Sequence, residues 1–120
     1  MTLVDTSVWI DHFRGADRAA ELVTLAADGE ILVHPWVRGE LALGSLGRRG
    51  PTVMSDLGLL PQAPVVADGE VLELIGARRL DGRGLGWVDV QLLASALVAG
   101  SRLWSFDRRL GAAARELGVA

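Results

Sequence analysis

At 120 residues and 50% hydrophobic, the chain is long enough to bury one core and too short for two domains, and its net charge of −3 lacks the overall basic signature common in nucleic-acid binders. The absence of cysteine excludes disulfides and thiolate metal sites, leaving carboxylates and two histidines as the available ligands. No stretch approaches the roughly 18 uninterrupted apolar residues of a membrane helix, and no basic-then-apolar leader opens the chain, so a soluble, cytoplasmic protein is expected.

In chain order, the first element is a short apolar strand, Thr2 to Asp5, feeding directly into a helix, Thr6 to Arg14. A helix over Asp17 to Ala27 follows and stops at Asp28-Gly29. Strand Glu30 to His34 comes next, and Pro35 opens a helix running to Leu46, as suits proline in a first helical turn. Gly44, Gly47 and Gly50-Pro51 interrupt the chain there, ahead of a short helix over Pro51 to Leu60. Pro61-Gln62-Ala63-Pro64 reads as a linker and Val65-Val66 as a small strand before a helix over Asp68 to Leu80. Asp81 to Gly86 is a flexible glycine-rich loop, read as a hinge that sets Asp89. Helix Trp87 to Ala99, stopped by Gly100, strand Arg102 to Phe106 and helix Arg108 to Leu117 complete the chain. Short hydrophobic strands alternating with helices argue for an α/β fold with a parallel sheet, in one domain spanning 1–120.

Four carboxylates in this pattern are candidates for chemistry: Asp5, Glu40, Asp89 and Asp107. Asp5 and Asp107 close hydrophobic strands, and in open parallel sheets the functional crevice lies at the carboxyl ends of the strands. Glu40 shares a helix face with Trp36, Val37 and Leu43, and Asp89 with Leu92, Leu93 and Ala96, so both are expected to point inward. A carboxylate on a core-facing stripe is costly unless it is paired or binds a metal. Asp5 and Asp107 also read as helix N-caps, and Asp89 as a first-turn acid favoured by the helix dipole. Glu40, in mid-helix, has no such role.

Other features carry less. The loop before Asp89 lacks the lysine and spacing of a phosphate-binding loop. His12 and His34 have no second nitrogen ligand at useful spacing and are assigned no catalytic role. Trp9, Trp36, Trp87 and Trp104 each belong to an apolar run and fit core packing. All twelve basic residues are arginine, and with four acids given to a metal the rest of the chain is close to neutral. Arg48-Arg49, Arg78-Arg79 with Arg83, and Arg108-Arg109 are pairs or near-pairs that could contact phosphate bidentately, though any single pair reads first as a solvated helix face or a partner contact.

Four converging carboxylates would repel one another, raise some of their pKa values and weaken the fold. A divalent cation removes that conflict, and oxygen donors favour a hard one such as Mg2+ or Mn2+. Such an ion lowers the pKa of a bound water and steadies the charge developing on a phosphate, which points to phosphodiester hydrolysis.

These residues resemble the PIN domain, and specifically the VapC-type toxins of bacterial type II toxin-antitoxin pairs. Leu3-Val4-Asp5-Thr6-Ser7-Val8-Trp9 is similar to the family's opening motif, Glu40 to its helix acid, Asp89-Val90-Gln91-Leu92-Leu93-Ala94 to its second aspartate motif, and Ser105-Phe106-Asp107 to its closing one. The likeness spans the whole chain. It departs at Ser105, where threonine is usual and the hydroxyl is kept. The resemblance implies a three-layer α/β/α fold with a central, mainly parallel sheet and Mg2+- or Mn2+-dependent endoribonuclease activity. It also implies a homodimer, and inhibition by a cognate VapB-type antitoxin whose tail covers the acidic site. Asp5 and Asp89 carry over as principal metal ligands, with Glu40 and Asp107 completing the pocket.

Two rival readings remain. Phosphoryl transfer through an aspartyl phosphate at Asp5 would resemble families that balance the phosphate with a lysine, and this chain has none. A catalytically silent PIN fold that only binds RNA or protein would be expected to have lost acids, and all four are present.

Overall fold

The computed structural model describes every residue from Met1 to Ala120. The apolar run at the N-terminus forms strand β1 (Thr2–Val4), all three residues of which are buried. Fully burying a leucine or valine side chain contributes about 1.5–3 kcal/mol, so Leu3 and Val4 anchor the sheet. On either side of β1 lie β2 (Ile31–Leu32) and β3 (Arg102–Trp104), in the order β2-β1-β3 and parallel throughout. Leu3 stands opposite both Leu32 and Leu103, which puts the three carboxyl ends on one edge. Because the chain leaves the central strand first to one side and later to the other, that edge above β1 is the topological switch point of the sheet.

Helices flank the sheet in an α/β/α arrangement. They are α1 (Thr6–Phe13), α2 (Glu21–Ala27), α3 (Pro35–Leu43), α4 (Gly50–Leu59), α5 (Asp68–Arg78), α6 (Trp87–Ala99) and α7 (Arg108–Glu116). Every residue of α6 from Val90 to Ala96 is buried, as befits a helix that is apolar on nearly every side. In contrast, α7 is strongly amphipathic and turns Leu110, Ala113 and Ala114 to the core. The core is one cluster of 26 buried residues drawn from all three strands and all seven helices.

Several boundaries differ from the sequence reading, each for a local reason. The helix expected over Asp17 to Ala27 begins as a separate 3-10 turn at Asp17–Ala19, from which Arg18 reaches out to pair with Asp11 and lies 4.1 Å above the Phe106 ring. The helix from Pro35 ends at Leu43, not Leu46, because Gly44 turns to extended backbone. Strand β2 is two residues long, and Val33 instead bridges outward to Gln62. Val65-Val66 forms no strand. Pro61 and Pro64 have no N–H to carry a ladder beyond that single bridge, and the Val66 backbone is satisfied by the side chain of Gln91. Among the tryptophans Trp9 is buried, whereas Trp87, at the first position of α6, is 41% exposed and outside the core.

The glycine-rich segment before α6 is fastened rather than free. Arg83 grips Glu116 of α7 through two bonds of 2.6 and 3.0 Å. Gly84 has φ +76°, and a Cβ there would stand 2.8 Å from the Arg109 guanidinium, so only glycine lets the loop lie against α7. An exposed ion pair of this kind is worth at most about 1 kcal/mol, so the close packing matters more than the charge.

Candidate active site

The carboxyl edge of the sheet gathers the predicted acids in one electrostatic neighbourhood. Asp5 ends the central strand and is 7% exposed, the one member of the set that is truly buried. It occupies the N-cap position of α1, yet its side chain makes no cap bond. Instead, the hydroxyls of Ser7 and Ser105 both donate to Asp5 Oδ2 at 2.7 Å. Each hydroxyl also accepts a backbone N–H, from Phe106 and Asp107 respectively, both at 3.0 Å. With each hydroxyl proton directed at Asp5, the 3.4 Å approach of the two serines is a contact rather than a further bond. This stitch joins the ends of β1 and β3 and fixes the plane of the Asp5 carboxylate.

The other three are held in the same manner, by one oxygen each. Glu40 Oε1 accepts the Thr6 hydroxyl at 2.6 Å. Asp89 Oδ2 accepts the Gly86 N–H at 2.8 Å, reaching back around the first turn of α6. Asp107 Oδ1 accepts the Leu110 N–H at 2.9 Å as the N-cap of α7. The first-turn role of Asp89 and the capping role of Asp107 are therefore observed, while Asp5 makes no side-chain cap bond. In all four carboxylates the second oxygen takes no hydrogen bond from the protein.

Glu40 departs from expectation. The core face of α3 is Val37 and Leu41, four residues apart, and Glu40 lies one step off it, exposed. Leu43, expected beside it in the core, is 91% exposed. The carboxylate thus looks across to the start of α1, not inward, and no penalty for burial applies to it. Asp107 is exposed too.

The chain's ion pairs are Arg18 with Asp11, Arg83 with Glu116, and the N-terminus with Glu30, so none of the four acids is neutralised by a cation. Burial pushes the Asp89 carboxyl above its usual pKa, and the negative charges of Asp5, Asp107 and Glu40 add to the rise, against the Gly86 N–H that lowers it. In this geometry no three His, Asp or Glu side chains close around a common point. The four acids are each tethered separately, yet near enough for Asp5, Asp107 and Glu40 to act on Asp89. The donor set fits a hard divalent cation: oxygen ligands only, uncompensated negative charge, and one open oxygen per carboxylate.

Beside Glu40 a cleft of about 260 Å3 opens between α1 and the α3–α4 connection, its walls including Phe13, Leu41 and Leu46 with Arg14 and Arg49. Single arginines from the pairs named in the sequence have partners within the chain. Arg49 lines this cleft and bonds the Phe13 carbonyl, whereas Arg83 serves Glu116 and Arg109 packs on Gly84.

Sequence reasoning misses the roles of Thr6, Ser7 and the buried pair His34 and Gln91. The hydroxyls flanking Asp5 and Asp107 at two-residue spacing are a usable signal. A wholly buried histidine bonded to a distant glutamine is not.

A family model described as PIN domain matches residues 2–116 of the chain. Ribonuclease VapC32 of Mycobacterium tuberculosis, from strains CDC 1551/Oshkosh and ATCC 25618/H37Rv, is 58% identical over 121 aligned positions, covering 100% of this chain and 95% of the relative. Among solved structures, the M. tuberculosis toxin VapC20, described as cleaving the Sarcin-Ricin loop, matches with a TM-score of 0.71 over 94% of this chain and 95% of that one. At 24% identity that likeness concerns the fold alone.

Proposed function

This chain belongs to the PIN domain family, as a VapC-type endoribonuclease toxin, and we propose that Asp5, Glu40, Asp89 and Asp107 hold the Mg2+ or Mn2+ ion with which it hydrolyses RNA phosphodiester bonds. The observation that carries this reading is the set of four unneutralised carboxylates at the switch point, each fastened by one oxygen and open at the other. A bound divalent cation supplies a water of lowered pKa and a counter-charge for the phosphate. The chain's own part is to aim the ligands. Asp5 and Asp89, the less exposed pair, just past β1 and on α6, act as the principal ligands; Glu40 and Asp107 complete the pocket from its rim. Arg14 and Arg49 line the adjoining cleft, where guanidinium groups suit the phosphates flanking the scissile one.

On this reading residues 1–120 work as a single domain, consistent with one continuous core. Family membership further suggests a homodimer, cytoplasmic action, and a cognate VapB-type antitoxin whose tail covers the acidic edge and contributes a cation to it. No helix is long and apolar enough to cross a membrane.

The purified chain is expected to cleave RNA in Mn2+ or Mg2+ and to stop in excess EDTA; cleavage indifferent to chelation would refute the metal reading. Glu40→Gln and Asp107→Asn are expected to reduce kcat/KM only about 10- to 100-fold, since water can replace an exposed ligand.

A further inference from the structure

Beneath the acids, a buried polar network joins the two helices that carry Glu40 and Asp89. His34 is wholly buried and caps α3: its Nδ1 accepts the Trp36 N–H at 3.0 Å. That bond leaves the ring proton on Nε2, 3.3 Å from Gln91 Oε1. Gln91 is also wholly buried, on α6 two residues after Asp89. Its Oε1 accepts the Val66 N–H at 2.8 Å and its Nε2 donates to the Val66 carbonyl at 3.0 Å. A flipped amide would face two N–H donors with its own, so the orientation is determined. One turn further along α6, Ser95 donates to the Pro64 carbonyl at 2.7 Å. Burial holds the His34 ring below its ordinary pKa and hence neutral, with the bonds to Gln91 and the Pro64 carbonyl acting the other way.

We propose that His34 and Gln91 are positioning residues for the metal site, setting the distance between α3 and α6 and with it the distance between Glu40 and Asp89. The inference rests on the divalent-cation reading of the four carboxylates. The levers are short: at 1.5 Å rise per residue, Glu40 lies about 9 Å along α3 from its cap and Asp89 about 3 Å along α6 from Gln91. Any slip of either helix reaches its carboxylate almost undiminished. Apolar side chains would fill the same space but would tolerate sliding, and Val66 would lose both backbone partners. Hydrogen bonds at specified atoms make the register between the helices directional. Neither residue touches substrate or ion; both act through the helices they tie.

The test compares the parent with His34→Ser, which keeps a cap acceptor for Trp36 but loses the reach to Gln91, and with Gln91→Met. A control, Val119→Ala, weakens the core beside Met1 and Ser101, at the opposite edge of the sheet from the acids. Mn2+ affinity is measured by electron paramagnetic resonance of the unbound ion at a temperature where the variants are folded, and RNA cleavage is followed in parallel. His34→Ser and Gln91→Met are expected to bind Mn2+ about ten-fold or more weakly, with kcat reduced and KM for RNA unchanged. Val119→Ala should lose thermal stability yet bind Mn2+ as the parent does. If Gln91→Met does not fold, His34→Ser decides the matter alone. Parental Mn2+ affinity in folded His34→Ser would overturn this inference while leaving the nuclease reading intact; a parent chain that binds no Mn2+ would overturn both.

Discussion

Asp5→Asn is expected to abolish metal-dependent RNA cleavage while the chain keeps its fold. Two serine hydroxyls donate to Asp5 Oδ2, so an amide at this position must turn its oxygen toward them to keep both bonds. Its NH2 group then occupies the place of Oδ1, presenting donors and no charge where the cation needs a lone pair. The substitution therefore preserves the stitch between β1 and β3 and inverts the ligand. Metal catalysis of this type supplies several kcal/mol of transition-state stabilisation, so kcat/KM should fall by roughly 10^2- to 10^4-fold. The same argument covers Asp89→Asn, whose amide oxygen would stay with the Gly86 N–H. Cleavage assays paired with far-ultraviolet circular dichroism check both halves of the expectation; undiminished cleavage by either purified variant would refute it.

Mn2+ is expected to raise the melting temperature of the parent substantially and that of Asp5→Asn and Asp89→Asn very little. An ion at 100 times its Kd stabilises the folded state by about 2.7 kcal/mol. For a chain of this length that corresponds to roughly 8–13 °C, taking about 3–5 °C per kcal/mol. The dependence on pH follows from Asp89, whose pKa is raised in the fold by burial and by its acidic neighbours. A raised folded pKa means that the stability contributed by this group to the metal-free chain is fully present below its ordinary value near 3.8 and is lost as pH rises through the folded value. At neutral pH, then, metal-free Asp89→Asn should melt at or above the parent, and the advantage should vanish on acidification. His34 has the opposite sign. Its pKa is lowered, so its contribution is present above its ordinary 6.5 and is lost as pH falls through the folded value. Since His34 is common to both proteins, the difference between parent and variant isolates Asp89. Protons compete with the cation for Asp89, so the Mn2+ shift itself should shrink at low pH. An equal Mn2+ response in the parent and both variants would place the ion elsewhere.

The strands, the helices and the four acids were legible because they rest on local pattern. An apolar run such as Thr2 to Val4, feeding directly into a helix, reads as a buried strand, and an acid closing such a strand lies on the carboxyl edge of a parallel sheet. Glu40 shows where that reasoning stops. The rule that residues three and four apart share a face is right, but which face meets the core is decided by the neighbouring elements, and here the core took Val37 and Leu41. Val65-Val66 has strand-forming side chains, yet the prolines at 61 and 64 deny it a ladder, and a glutamine 25 residues away supplies the missing partners. The bond from Ser105 to Asp5 and the link between His34 and Gln91 join residues 100 and 57 positions apart. Pairings at that separation follow from the closed topology and leave no mark on local periodicity.

The central claim, that four acids from β1, α3, α6 and the cap of α7 hold one divalent cation, is tested most directly by anomalous diffraction from crystals soaked in Mn2+. The account predicts a peak at the carboxyl edge of the sheet, about 2.0–2.3 Å from carboxylate oxygens of both Asp5 and Asp89, with Glu40 and Asp107 at the same ion directly or through water. Mn2+ found only at other surface carboxylates, with Asp5 and Asp89 unliganded at saturating concentration, would contradict it.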